Sequence, residues 1–433
     1  MINRWHSEYK QKLTTAEEAI KLIKDGDHIY SALCAGEPPA LLEAISKNVK
    51  SFRNVTVMQM LPTRNYSYIH PENVEHVRHD SWFSGSKTRQ AVNEGWADYT
   101  PQHFHDACYL MRDELVQVDV YIAAVSPMDN HGYFSLGASV CYAFDAIKRA
   151  RTVIFEVNKN MPKTYGNTFV HISEVDCIVE NTCPMPQINS TPPNEVQQKI
   201  GANIAELIED GSTIQLGFGA IPMAMSEFLK DKKDLGLHTE ILVDAMVDLV
   251  ECGAVTNHKK SIHPGKIIGT ALVGTDKIYK YCHENPFVEL HPVDYTNDVN
   301  VIAANNKMIA INATLEIDLF GQCVSESLGY MHYSGSGGQV DFCRGAVKSP
   351  GGKAILAMPS TTKNDTVSKI VPCLKPGAVV TVGRNDVDYI VTEYGAVRLR
   401  GKSQKQRAEL LISIAHPNFR DELKFHARKM NLI

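Results

Sequence analysis

KDGDHIYSALCAGEPPALLEAI (Lys24–Ile45) and EDGSTIQLGFGAIPMAMSEFL (Glu209–Leu229) follow one plan. Asp25-Gly26 lines up with Asp210-Gly211, and Pro38 with Pro222 after one gap. In each stretch an Asp-Gly turn leads into a short apolar run, then a Gly/Pro loop, then a helical pattern. Three more pairs recur in the same order: ADYTP at Ala97 with VDYTN at Val293, DNHGYFS at Asp129 with DLFGQCV at Asp318, and EVDCIVE at Glu174 with DVDYIVTE at Asp386. Chance similarity between strand-turn-helix units explains one such match but not their shared order. The chain therefore reads as an internal duplication of one module. Strands alternating with helices predict an α/β fold of two similar domains, each a mostly parallel sheet flanked by helices.

NTCPMPQINSTPPNE (Asn181–Glu195) is rich in Pro, Asn, Ser and Thr and lacks periodicity, and an amphipathic helix pattern follows from Asn194. The boundary is expected there, with an N-terminal domain over 1–185 and a C-terminal domain over 186–433. In the second domain STIQLGFG reads as a strand, PMAMSEFLKDKK as a helix opened by Pro222, and TEILVD as the next strand. The C-terminal stretch from Ser403 reads as a helix pair broken at Pro417.

Composition narrows the function. Apolar residues make up 44% and charged residues 21% of the 433 positions, and the formal net charge is −5. No basic run suggests nucleic acid, so small molecules are the expected partners. The ten cysteines form no C-x-x-C pair, which reads as reduced thiols filling cores. The polar start MINRWHSEYKQK and the lack of a long apolar stretch predict a cytoplasmic protein without a membrane span. Histidine spacings lack H-x-x-x-H or H-E-x-x-H, so no metal site is expected. No G-x-S-x-G elbow offers a serine nucleophile.

Several loops could carry chemistry. GFGAIP (Gly217–Pro222) lies between a strand and a helix, where backbone N–H groups can approach an anion. A tight strand-to-helix turn explains it equally well. YSGSGGQVDF (Tyr333–Phe342) packs three glycines into four residues, enough bare amides to surround an oxyanion, and VDF reads as re-entry into a strand. Lys363 stands in a polar loop after the strand KAILAM, where it could meet a phosphate or remain an ordinary surface lysine. In INATLEIDLFGQ, Asn312 is a candidate ligand contact, and Glu316 and Asp318 read as structural.

Glu240, in LHTEILVDAM (Leu237–Met246), leads straight into an apolar run. A carboxylate ionised at neutral pH can attack a thioester without a general base, provided donors stabilise the oxyanion. Taken alone, a hydrated strand-end carboxylate is the plainer alternative.

GFGAIP, LGLHTEILVDAMVDLV, SGSGGQVDFCRGA and IVTEYGAVRLRGKSQKQRAELLISIAHPNFRDEL occur in that order. In these motifs the chain resembles the acetyl-CoA hydrolase/transferase family, and within it the 4-hydroxybutyrate and butyrate:acetate CoA-transferases. The resemblance spans essentially the full length. It implies two similar α/β domains with the active site in the cleft between them, and a homodimer or larger assembly. It implies coenzyme A and acyl-CoA as substrates rather than resident cofactors, with short-chain carboxylates as the other partners. Glu240 matches the glutamate that carries acyl and CoA groups. Gly217, Phe218, Gly219, Ala220 and Ile221 match the CoA-binding turn, and Gly337, Gly338, Asn312 and Lys363 fall where CoA contacts are expected. Gly337 and Gly338 are then expected to be glycine because a Cβ would collide with the thioester. The implied reaction is ping-pong transfer of CoA between a short-chain acyl-CoA and a carboxylate such as acetate. An acyl-CoA hydrolase on the same scaffold and a non-catalytic CoA sensor are the alternatives.

Overall fold

The computed structural model describes residues 4–189, 191–217, 219–362 and 364–433, leaving aside the side chains of Ala220 and Pro222. The chain divides into two compact units. One comprises Met1–Ile188, Leu242–Asp244 and Ile268–Thr296; the other comprises Asn189–Ile241, Ala245–Ile267 and Asn297–Ile433.

The first unit is built on eight strands: β1 (Leu13–Thr14), β2 (His28–Ser31), β3 (Val55–Met60), β4 (Val77–Phe83), β5 (Ala97–Tyr99), β6 (Val120–Val125), β7 (Thr152–Val157) and β8 (Cys177–Glu180). Their order is β1-β8-β7-β6-β2-β3-β4-β5, and every neighbouring pair is parallel. β6 and β7 are buried at all six positions, as strands covered on both faces should be; β7 carries one buried carboxylate, Glu156, which accepts the Ala40 and Leu41 N–H groups.

The second unit carries β9 (Thr213–Leu216), β10 (Gly236–Leu237), β11 (Met308–Ala313), β12 (Lys353–Ala357), β13 (Tyr389–Thr392) and β14 (Gly395–Arg398). Their order is β10-β9-β11-β12-β13-β14, parallel except for the closing β13–β14 hairpin. Helices α1 (Glu195–Ala205), α2 (Ala220–Leu229), α3 (Val299–Ala303), α4 (Gln339–Lys348), α5 (Gln404–Ser413) and α6 (Pro417–Lys429) belong to this unit. Leu411, Ala415 and Leu423 bury the C-terminal pair against the core formed by Phe342, Leu356 and Ile390.

Each sheet contains the same five-strand run: β3-β2-β6-β7-β8 in the first and β10-β9-β11-β12-β13 in the second. The aligned Asp-Gly turns precede β2 and β9, with Gly26 and Gly211 at φ 81° and 75°. EVDCIVE and DVDYIVTE fall on β8 and β13. ADYTP and VDYTN do not correspond: the first is strand β5, while Val293–Thr296 is a helical turn.

Three local expectations change. TEILVD is not one strand: the sheet takes Gly236–Leu237, Glu240 sits at a bend, Ile241–Leu242 is a separate short strand, and a helix begins at Asp244. VDF begins a helix, because Val340, Phe342, Cys343 and Ala346 bury one face at helical spacing. Helix α2 starts at Ala220, two residues ahead of Pro222.

β10 is an edge strand, and side chains cap its open side. Asn257 Oδ1 accepts the Leu237 N–H at 2.8 Å, and buried Lys260 Nζ donates to the Leu237 carbonyl at 2.9 Å. Seven cysteines are buried, two are exposed, and all ten are free. No helix among the described residues is long and apolar enough to cross a membrane.

Candidate active site

The second sheet has a switch point. From β9 the chain moves to β10 on one side, and from β11 to β12 and β13 on the other. The loops leaving the carboxyl ends of β9 and β11 therefore diverge, which opens a crevice where ligands of such sheets bind. Gly217 and Gly219 follow β9, and Asn312 lies near the end of β11.

Gly219 caps α2 with φ 138° and ψ −175°, a conformation closed to residues with a Cβ. Ala220 opens the helix and Ile221 is buried. The Gly217 N–H donates to the Ile311 carbonyl at 3.1 Å, tying the turn to β11. Asn312 pairs reciprocally with buried Gln215, its Nδ2 donating at 3.1 Å and its Oδ1 accepting at 3.2 Å. Phe218 and Lys363 lie outside the described residues. Met225 and Met246 are buried in the core. Asp318 accepts the Phe320 and Gln322 N–H groups and so shapes a turn.

Glu240 stands three residues beyond β10, past the carboxyl edge of the same sheet. Its Oε2 accepts from Asn297 Nδ2 at 2.9 Å. The same Nδ2 lies 3.2 Å from Asp341 Oδ2 on α4. Asn297 and Asp341 are 0% and 1% exposed, whereas Glu240 as a residue is only half-buried. The protein packed around its carboxyl nevertheless strips away most of its water. That burial raises the Glu240 pKa to about 7; the Asn297 hydrogen bond and the Gly338 amide oppose the rise, and the Asp341 charge adds to it. A substantial share of Glu240 is thus protonated at neutral pH, where the sequence alone suggests a fully ionised carboxylate.

Gly338 is the N-cap of α4. A Cβ built on it would overlap Glu240 Oε2 and Asn297 Nδ2, so the protein's own side chains already call for glycine there. Gly337 precedes it at φ 52°. Helix α4 thus presents its N-terminus to Glu240, where the helix dipole favours negative charge.

The sequence reading missed Asn297 and Asp341. Asn297 ends the VDYTN stretch noted for its repeat match, and nothing local marks it as a partner of a residue 57 positions away.

Among known proteins, residues 2–188 match the acetyl-CoA hydrolase/transferase N-terminal domain and residues 274–427 the C-terminal domain. The chain belongs to the acetyl-CoA hydrolase/transferase family. It is 46% identical over 432 residues to a succinyl-CoA:cyclohexane-1-carboxylate CoA transferase of Geobacter metallireducens, covering 99% of this chain and 98% of the relative. It is 46% identical over 425 residues to a 4-hydroxybutyrate coenzyme A transferase of Clostridium kluyveri, covering 98% and 99%. The crystal structure of RipA from Yersinia pestis superposes with a TM-score of 0.94 at 40% identity, covering 99% of this chain and all of that one.

Proposed function

We propose that this family member is a CoA-transferase that moves CoA between a short-chain acyl-CoA, such as butyryl- or 4-hydroxybutyryl-CoA, and a carboxylate such as acetate, through Glu240. The observation that carries the reading is the Glu240 carboxylate itself. It is held by Asn297 and the Gly338 amide beside the switch-point crevice, with a pKa raised to about 7. A carboxylate of raised basicity is a stronger nucleophile, and near neutral pH an ionised share of it is still present to attack.

In this reading Glu240 attacks the thioester carbonyl through Oε1, the C–S bond breaks, and CoA leaves as thiolate from an acyl-glutamyl anhydride. The thiolate then attacks Glu240 Cδ, the donor carboxylate departs, and a glutamyl-CoA thioester remains. An incoming carboxylate reverses both steps. When Cδ becomes tetrahedral, charge develops on Oε2, which already faces Asn297 Nδ2. Asn297 is therefore a candidate oxyanion donor, alongside the Gly338 amide. Gly217 to Ile221 and Asn312 are assigned to binding CoA at the crevice, as are Phe218 and Lys363 on the strength of the sequence. The relatives named CoA transferases support the reaction class. Cytoplasmic action as a homo-oligomer belongs to the same reading.

The test is an intact mass of the protein after mixing with butyryl-CoA and no acceptor, with Glu240→Ala as control. A CoA adduct on the Glu240 peptide, absent from the variant and discharged by acetate, is expected. Steady CoA release without an adduct would favour a hydrolase; neither adduct nor release would favour a binding protein.

A further inference from the structure

Asp341 is a buried carboxylate beside the proposed nucleophile, and the reaction as written gives it nothing to do. We infer that Asp341 is a positioning residue: it holds the Asn297 amide with its N–H pair toward Glu240, and its charge favours the neutral, CoA-bearing form of Glu240 over the free carboxylate. The inference rests on the nucleophile reading above.

The geometry leaves the amide one useful orientation. Asn297 Nδ2 has two protons and two carboxylate neighbours, Glu240 Oε2 at 2.9 Å and Asp341 Oδ2 at 3.2 Å. Turned over, the amide would set Oδ1 against both oxygens, and acceptors facing acceptors repel. The Oδ1 itself is buried with no hydrogen-bond partner among the described residues, so none of them sets the orientation from that end. Without Asp341, Asn297 would answer to Glu240 alone, and that contact weakens when Oε2 becomes the carbonyl oxygen of a thioester. With Asp341 in place the donor stays aimed through the catalytic cycle.

The electrostatics run the same way. Asp341 is the third residue of α4, inside the first turn, where the helix dipole favours an anion. Two carboxylates bridged by one neutral amide repel each other, most strongly where water is scarce. The Asp341 charge is a cause of the raised Glu240 pKa, behind burial. Forming the glutamyl-CoA thioester removes the charge at Glu240 and relieves that repulsion. The other contacts at the carboxyl, the Asn297 amide and the Gly338 N–H, are neutral. His238 is a further titratable side chain at this end of the helix, buried two residues before Glu240 with its ring 6.2 Å from that of Phe342. It is common to both proteins compared below.

The experiment follows the Glu240-linked CoA adduct by intact mass in the full-length protein and in Asp341→Asn. Its rate of formation is measured across the neutral pH range, and its equilibrium fraction at fixed butyryl-CoA and butyrate. Asparagine keeps an acceptor and removes the charge. The pH midpoint should fall by about one unit and the equilibrium adduct fraction several-fold. A folded Asp341→Asn protein with both quantities unchanged overturns the inference while leaving Glu240 as nucleophile. No adduct on the wild type overturns the nucleophile reading, and this inference with it. If Asp341→Asn does not fold, Asp341→Ser, also uncharged, is read by the same two quantities.

Discussion

Gly338 and Glu240 fit together only because Gly338 has no side chain: a Cβ there would overlap Glu240 Oε2. The atoms displaced are the ends of two side chains, Glu240 Oε2 and Asn297 Nδ2, so in Gly338→Ala the hydrogen bond between them should break while the backbone around it stays folded. Misplacing a reacting group by about 1 Å can cost on the order of 10²-fold in rate, and a loss of that size is expected in kcat with little change in Tm. A Gly338→Ala enzyme of normal rate would remove the steric argument.

Asn297→Ala removes the donor facing Oε2. Loss of one oxyanion donor typically costs roughly 10² to 10³ in kcat. Single-turnover formation of the Glu240-linked CoA adduct, with release of the donor carboxylate, separates this from binding, since the KM for acyl-CoA should move much less.

Glu240 makes stability depend on pH in an unusual sense. Its pKa is raised in the fold to about 7, so its favourable contribution is complete below the ordinary glutamate value and disappears as pH rises through about 7. Glu240→Gln should therefore melt above the wild type in alkaline buffer, by on the order of 1–3 kcal/mol, and match it in acid. Equilibrium unfolding at two pH values decides this; a gain in acid would contradict the sign.

Gln215→Leu tests the crevice. It strips Asn312 of its reciprocal partner and leaves the Ile311 N–H without the Gln215 oxygen it reaches at 3.0 Å. Stability should drop by about 1–3 kcal/mol. If Asn312 contacts CoA, the KM for acyl-CoA should also rise several-fold, with the pH midpoint of adduct formation in place.

The repeated strands were legible because β2, β8, β9 and β13 carry their apolar runs beside Asp-Gly turns or acidic flanks. Glu240 was legible through its motif, but its place was not: TEILVD read as one strand opening at Thr239, whereas the sheet strand ends at Leu237 and Glu240 lies beyond it. Its protonation was not, because that depends on the density of protein around one carboxyl. Asn297 and Asp341 were hidden for a related reason: their chemistry is with Glu240, which is distant in sequence. VDF misled because three residues cannot separate a period of two from 3.6; the helix shows only when Cys343 and Ala346 are counted.

The edge position of β10 has a further consequence. Glu240 follows a two-residue strand with one sheet neighbour, whose outer side is held at Leu237 by the Asn257 and Lys260 side chains and at Leu235 by backbone bonds to Ala254 and Asn257. Edges fray before centres, so amide exchange should be faster at Leu237 than at Ile311 in the middle of the sheet. Gentle heating is then expected to disorder the nucleophile while the bulk of the domain is intact. Thermal inactivation should then precede melting, and Asn257→Ala, which strips the Leu237 N–H of its partner, should widen the interval between the two.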